Sequence, residues 1–108
     1  MKLEEQVFLN LKKIPKGKIT TYKELAHGVG IKAYRLIGKI LQKNPSSYLV
    51  KGNIPCHRVV KSDGTIGGFF GETKGNMINM KKDLLEKEGI RFGGKNKIID
   101  FDKILHKF

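Results

Sequence analysis

The side chains with the most chemical potential lie together in Pro55-Cys56-His57-Arg58-Val59-Val60. A thiol is the strongest nucleophile among ordinary side chains near neutral pH. A histidine is the commonest acceptor of its proton. Adjacency does not by itself make them a pair. In an extended strand successive side chains leave opposite faces, so contact needs an irregular backbone or a bridging water. Pro55, directly before Cys56, favours such irregularity. Read alone, Cys56 is either an inert thiol in an apolar core or a nucleophile, and His57 is either a hydrogen-bonded core residue or a base. His27 and His106 stand at no ligand spacing from them, so no metal site is expected. A single cysteine also excludes an internal disulfide framework and any multi-cysteine zinc site. A lone thiol fits a reducing compartment.

Charge indicates what such a thiol would meet. The 108 residues carry 22 Lys and Arg against 10 Asp and Glu, a net charge of +12. The excess is concentrated: residues 6–62 hold 12 basic residues and one acid, Glu24. The remainder is nearly balanced. A basic half beside a balanced half is the electrostatic footprint of a protein that binds a polyanion, nucleic acid above all. Nineteen of the 22 basic residues are Lys, so general lysine richness explains part of the excess. No apolar run approaches the roughly 20 residues that span a bilayer, and no secretory signal is visible. A cytoplasmic location is expected, nucleoid-associated in a prokaryote.

Several elements must position these residues. Apolar positions 3, 7, 8, 11 and 14 predict a helix over 3–14, stopped by Pro15-Lys16-Gly17. Thr21-x-x-Glu24 is a capping box that starts a second helix at Tyr22, and Gly28 and Gly30 end it. A third helix is expected over 32–43, with an apolar stripe at 33, 36, 37, 40 and 41, ended by Asn44-Pro45. Two short helices around a glycine turn, the second with a basic face, form a helix-turn-helix pattern. On that face Gly38 stands among Arg35, Lys39 and Gln42. A mid-helix glycine costs about 1 kcal/mol relative to alanine. Here it serves either a tight helix–helix contact or the close approach of a nucleic acid strand. Asp63-Gly64 predicts a hairpin or wing between residues 53 and 71. A helix over 77–88 ended by Gly89 follows, then short strands at 90–92 and 98–101 and a weak terminal helix over 102–108. The expected fold is a single α/β, mostly helical, winged helix-turn-helix-like domain with a small β hairpin or sheet.

Together these motifs identify a resemblance. Pro55-Cys56-His57-Arg58-Val59-Val60, followed by Ser62, Gly64 and Gly67-Gly68-Phe69, resembles the active-site signature of the 6-O-alkylguanine-DNA alkyltransferases, the methylated-DNA–protein-cysteine methyltransferases. Thr21-Tyr22-Lys23-Glu24-Leu25-Ala26 is similar to that family's tyrosine-bearing helix start. Arg35-Leu36-Ile37-Gly38 and Asn44-Pro45 resemble its recognition helix and the asparagine turn after it. Leu84-Leu85-Glu86-Lys87-Glu88-Gly89 resembles the helix end that supplies a glutamate. These motifs stand in the family's order over residues 7–89.

The resemblance implies a role for each position. Cys56 would take an alkyl group from the 6-oxygen of guanine and keep it as a thioether. His57 would activate the thiol through a water, and Glu88 would orient the imidazole. Tyr22 would donate its hydroxyl to the extruded base, and Asn44 would brace the active-site turn. Arg35 would fill the space left in the stack. Gly38 would let the helix lie against the minor groove. Lys39, Ala33, Thr21 and Arg58 would complete the DNA contacts, with Lys12, Lys13, Lys16 and Lys18 as further phosphate ligands. Pro55, Ile66, Gly67, Gly68, Phe69 and Phe70 would form the alkyl and base pocket. The implied partner is double-stranded DNA carrying alkylated guanine, bound by a monomer. No cofactor is implied, because the alkyl donor is the damaged DNA. Taken singly, Tyr22 is equally a packing residue, Arg35 a simple phosphate contact and Glu88 a solvated helix-end acid.

The chain also departs from the family pattern. Phe69 stands where many members have Tyr, and Phe70 where a small polar residue is common. The segment 72–79 is longer than usual. The first helix starts almost at Met1, so the ribonuclease-H-like domain of most members is expected to be absent. In this the chain resembles the alkyltransferase-like proteins, which bind alkylated DNA without repairing it and commonly carry tryptophan in place of the cysteine. Retention of Cys56 favours irreversible transfer. Lesion binding without transfer is the alternative, and an ordinary helix-turn-helix DNA binder with a structural cysteine is the third reading.

Overall fold

A computed structural model describes residues 2–42, 55–67 and 75–108. Helix α1 runs from Leu3 to Lys12. Leu3, Val7 and Leu11 recur on one face, and Val7 and Leu11 are fully buried. Glu4 and Glu5 in its first turn and Lys12 in its last complement the helix dipole. Pro15 disfavours helical backbone at Ile14, and the helix stops short of the expected end.

Strand β1, Thr20–Thr21, pairs in parallel with β2, Val59–Val60, with Thr20 opposite Val59 and Thr21 opposite Val60. The expected hairpin takes a different form. The chain does reverse after Lys61: Gly64 N–H donates to the Lys61 carbonyl at 3.0 Å, and Lys61 N–H to the Thr65 carbonyl at 3.0 Å. Among the described residues β2 pairs with β1 rather than across that reversal, and Thr65 bridges Lys97. Val59 and Val60 are both fully buried. A strand buried on both faces needs cover from both sides, which an exposed wing cannot supply. Parallel pairing in turn requires a long crossover, and this one carries two α-helices among the described residues.

That crossover begins with α2, Tyr22–Gly28, whose N-cap is Thr21: its hydroxyl accepts from Glu24 N–H at 3.0 Å. Helix α3 follows at Tyr34–Gln42. The expected single stripe on α3 divides. Ile37, Ile40 and Leu41 are buried, while Ala33 and Leu36 face solvent. Helix α4, Asn76–Lys87, buries Ile78, Lys81 and Leu85. Helix α5 is short, Phe101–Ile104, in place of the expected helix over 102–108. Leu105 instead bridges Ile19 in parallel, His106 N–H donates to the Ile19 carbonyl at 2.6 Å, and Thr20 Oγ1 donates to the His106 carbonyl at 2.8 Å. The free edge of β1 needs such partners, and the tail supplies them. The expected strands near 90–101 reduce to one bridge, Phe92 to Ile98. Among the described residues no helix is long and apolar enough to cross a membrane.

Two glycines end helices in the same way. After α2, Gly30 lies at φ +76°, its N–H donates to the His27 carbonyl, and Ile31 N–H donates to the Ala26 carbonyl. After α4, Gly89 lies at φ +92°, its N–H donates to the Glu86 carbonyl, and Ile90 N–H donates to the Leu85 carbonyl. Both are Schellman caps, which need a left-handed residue after the last helical turn. A Cβ at either glycine would meet nothing within 4 Å, so the requirement is one of backbone alone. Gly30→Ala and Gly89→Ala should each destabilise the fold by about 1–2 kcal/mol. Thermal melts would show this as a Tm lower by roughly 4–15 °C; unchanged melting in both variants would refute the cap assignment.

Candidate active site and nucleic-acid interface

Pro55 is followed by one 3-10 turn, Cys56–Arg58, closed by Arg58 N–H on the Pro55 carbonyl at 3.0 Å. This is the irregular backbone that a Cys–His pairing requires. Cys56, His57 and Arg58 are all buried, at 4%, 1% and 5% exposure. His57 Nε2 lies 3.1 Å from Glu88 Oε2. Arg58 grips the same carboxylate with both prongs: Nε donates to Oε1 at 2.9 Å and Nη2 to Oε2 at 2.6 Å. Its Nη1 donates to the Ile14 carbonyl at 2.8 Å, just beyond α1. Glu88 is the C-cap of α4, and the turn at Gly89 brings it back over this group.

The electrostatics follow from burial and these bonds. Burial pushes the Glu88 carboxyl up, but the hydrogen bonds and charges of Arg58 and His57 together hold it below the ordinary carboxylate range. Burial pushes His57 down; this outweighs the bond and charge of Glu88, and the Arg58 and Lys81 charges act with it. His57 is therefore neutral at pH 7. With an ionised carboxylate at Nε2, that nitrogen carries the proton, and Nδ1 is the basic one. Burial raises the Tyr22 phenol, and the charge Cys56 gains on ionisation acts in the same direction. Tyr22 therefore remains a proton donor.

A cavity of about 830 Å³ opens at Tyr22, the residue whose phenol feels the Cys56 charge; Cys56, His57, Arg58 and Glu88 themselves are not among its lining residues. Tyr22, Ile66, Gly67 and Ile78 line it, with Tyr34, Arg35 and Gly38 contributed by α3. Gly67 is required there: it lies at φ +72°, and a Cβ would come within 3.1 Å of Lys61 Cγ and 3.6 Å of the Tyr22 ring. Gly38 answers the choice left open by the sequence. A Cβ on it would meet nothing within 4 Å, so no helix packs there and its face is open. Arg35, Lys39 and Ala33 are exposed on or beside the same helix.

Two expected DNA contacts are placed elsewhere. Arg58 is buried, and its guanidinium is turned inward onto Glu88 and Ile14. Thr21 is buried, with its hydroxyl committed to capping α2. Pro55 is buried and lies outside the lining of the cavity. Lys18 donates its Nζ to the Lys103 carbonyl at 3.1 Å. Asn44, Gly68, Phe69 and Phe70 lie outside the described residues.

One residue escaped the sequence reading. Lys81 is fully buried, and its Nζ donates to the carbonyls of Val59 and Ile66, each at 2.6 Å. It thereby ties the strand after the Cys56 turn to the cavity wall. The signal was its spacing: Ile78, Lys81 and Leu85 share one face of α4. Burial lowers Lys81 to about 7, with the Cys56 charge opposing the shift.

A basic helix-turn-helix with an open glycine on its second helix, together with a buried Cys56–Arg58 turn bonded to Glu88, defines a class: a helix-turn-helix DNA-binding domain. Residues 2–90 match the family model described as the 6-O-methylguanine DNA methyltransferase DNA-binding domain, and the chain belongs to that family. A methylated-DNA–protein-cysteine methyltransferase of Candida glabrata is 38% identical over 101 residues, covering 93% of this chain and 44% of that protein. The protein of the same name from Saccharolobus solfataricus is 41% identical over 85 residues, 79% of this chain and 49% of that one. The chain thus spans about half the length of the curated relatives it matches. Among solved structures, S. pombe Atl1 bound to damaged DNA containing O6-carboxymethylguanine superposes with a TM-score of 0.76 at 27% identity, over 98% of this chain and 95% of that one. Mycobacterium tuberculosis OGT in complex with DNA superposes with a TM-score of 0.66 at 34% identity, over 82% of this chain and 50% of that one.

Lys81 has a consequence for stability. Between about 7 and its ordinary value of 10.5, the unfolded chain carries a proton there that the folded chain does not. Stability contributed through this residue therefore rises with pH across that window. Denaturant titrations of wild type and Lys81→Met should show their difference moving in favour of wild type from pH 7 to pH 10. A difference independent of pH would exclude a titrating buried lysine.

Proposed function

We propose that this chain repairs alkylated duplex DNA by moving the alkyl group from the 6-oxygen of guanine onto Cys56, once per molecule. The observation that carries this reading is the Cys56–Arg58 turn with His57 held 3.1 Å from a Glu88 that Arg58 grips bidentately. The neutral His57 takes the thiol proton on Nδ1, directly or through a water, while Glu88 steadies the imidazolium that forms. The sulfur attacks the alkyl carbon, the S–C bond forms, and the C–O6 bond breaks. Tyr22 gives its phenolic proton to the departing guanine, so the base leaves neutral rather than as an anion. Because the alkyl carbon is buried within the stack, the nucleotide must first be extruded into the cavity. Arg35, exposed on α3 and lining that cavity, fills the gap it leaves. The S–C bond of the resulting thioether is not reversed by water or by thiols, so the alkylated protein is a dead end.

A second reading has its own support. The likeness to Atl1 extends over 98% of this chain, and recognition of alkylguanine without transfer would use the same α3 face and cavity. The retained thiol, imidazole and carboxylate favour transfer.

Intact-mass measurement decides between them. After incubation with a duplex bearing one 6-O-methylguanine, wild type should gain one methyl group and Cys56→Ala none. Preferential binding of the damaged duplex without a mass gain would establish lesion recognition alone; neither result would overturn both readings. Binding should also weaken linearly in log affinity against log salt, since the exposed lysines and Arg35 displace counterions. A salt-independent affinity would refute the basic-face argument.

A further inference from the structure

The cavity lined by Tyr22 and Arg35 has a wall that α3 does not supply. Lys95 and Asn96 line it together with Lys61, Ser62 and Thr65. These two residues form the tip of a tight reversal, Gly94-Lys95-Asn96-Lys97, closed by Lys97 N–H on the Gly94 carbonyl at 3.3 Å. The reversal is held against the Lys61–Thr65 turn. Ile98 N–H donates to the Gly64 carbonyl at 2.8 Å, Thr65 bridges Lys97, and Gly93 N–H donates to the Lys97 carbonyl at 2.7 Å. The Phe101 ring packs over Gly64, where a Cβ would lie 3.6 Å from its Cγ. The tip is therefore a supported part of the cavity rim. The family match ends at residue 90, before this segment begins.

The backbone of the tip is unusual for its side chains. Lys95 lies at φ +58° and Asn96 at φ +54°. Two successive left-handed residues are the mark of a type I′ turn, where glycine, asparagine and aspartate are favoured. Asparagine suits its position; lysine does not. Meanwhile Gly93 and Gly94, immediately before, are not in the left-handed region, and a Cβ at Gly94 would meet nothing within 4 Å. Lysine thus sits where the backbone favours glycine, and glycine sits where the fold does not need it. Turn chemistry alone would reverse them. Such an outlier points toward a use for the side chain, and the bare backbone at Gly94 permits close approach of a ligand. The charges facing the cavity agree: Lys23, Arg35, Lys61 and Lys95 line it, and no acid does among the described residues.

We propose that the Gly94–Asn96 tip is a phosphodiester clamp, in which Lys95 binds the backbone of the DNA strand that carries the extruded nucleotide. This rests on the proposed function. A nucleotide turned out into the cavity keeps both flanking phosphates, and these must pass the cavity rim. Arg35 on α3 occupies the vacated stack, whereas Lys95 and Lys61 on the other wall meet the displaced backbone. The clamp supplies affinity and register without reading sequence.

The test is equilibrium binding to a duplex with one 6-O-methylguanine across a KCl series, in a Cys56→Ala background so that no transfer occurs. Lys95→Gly should bind several-fold more weakly at low salt, and its log–log salt slope should be shallower by about 0.9, one phosphate contact. Its Tm should equal or exceed that of the parent, because glycine relaxes the left-handed position. Lys95→Arg should keep the slope. Lys107→Ala, an equal charge change at an exposed residue outside the cavity lining, should leave the slope closer to the parent. An unchanged slope and affinity in Lys95→Gly, or an equal loss in Lys107→Ala, would overturn the clamp. Arg35→Ala separates the two levels. If it weakens binding while Lys95→Gly does not, only the clamp fails. If the parent shows no preference for the damaged duplex and Arg35→Ala is silent, the proposed function fails and the clamp with it.

Discussion

The buried bond between Arg58 and Glu88 is the constraint on which the rest of the site depends. Both side chains are nearly withdrawn from water, at 7% and 8% exposure. Two charges in that position are tolerated only with close geometry and further bonds to the remaining donors. The bidentate grip, the Ile14 carbonyl and the His57 ring supply them. This one group thereby joins the end of α1, the Cys56 turn and the end of α4. Removing either partner would leave a buried charge uncompensated, a loss of about 3–5 kcal/mol. The same bond sets the chemistry. A carboxylate kept ionised by Arg58 dictates which nitrogen of His57 carries the proton.

The second constraint is on the frame around Cys56. Cys56 sits between Pro55, which shapes the turn, and β2, which is held from two directions. Thr20 and Thr21 pair with β2 along one edge, and the Lys81 ammonium draws the Val59 and Ile66 carbonyls together from beneath. A fully buried lysine is costly, and two short bonds to carbonyls offset part of that cost. Since β1 leads straight into α2, the strand pair also fixes Tyr22 relative to Cys56. Helix α3 follows from the Gly30 cap. The α3 face and the Cys56 turn are thus positioned by one short strand pair.

The open face at Gly38 and the charged cavity give the outward side of the same design. α3 keeps its apolar residues Ile37, Ile40 and Leu41 inward and leaves Arg35, Gly38 and Lys39 uncovered. A mid-helix glycine whose Cβ position is empty weakens the helix without any gain in packing. It makes sense where a second surface must come close. The family membership and the solved relatives bound to DNA agree with that reading of the helix.

Local rules made much of this legible before any coordinates. Pro15 and the glycines at 30 and 89 end their helices because their constraints act on the backbone itself, and Thr21 caps α2 through a bond spanning three residues. The proposed roles of Cys56, His57 and Glu88 were legible only through likeness to a family motif, since no periodicity relates Cys56 to Glu88 across 32 positions. What tertiary structure alone decided involves distant partners. β2 joined β1 in parallel because both faces of Val59 and Val60 needed cover. The tail left its helical pattern because the edge of β1 needed hydrogen bonds. Arg58 turned inward to the Glu88 carboxylate and the Ile14 carbonyl, partners 30 and 44 positions away in the chain. Lys81 went under the strands because α4 packs its Ile78–Leu85 face there. The Lys95 tip reached the cavity because Gly64 and Ile98 pinned it there. Sequence thus determined where elements start and stop, through short-range backbone chemistry. The fold determined which charges are buried and which face the cavity, because desolvation depends on neighbours brought from far along the chain.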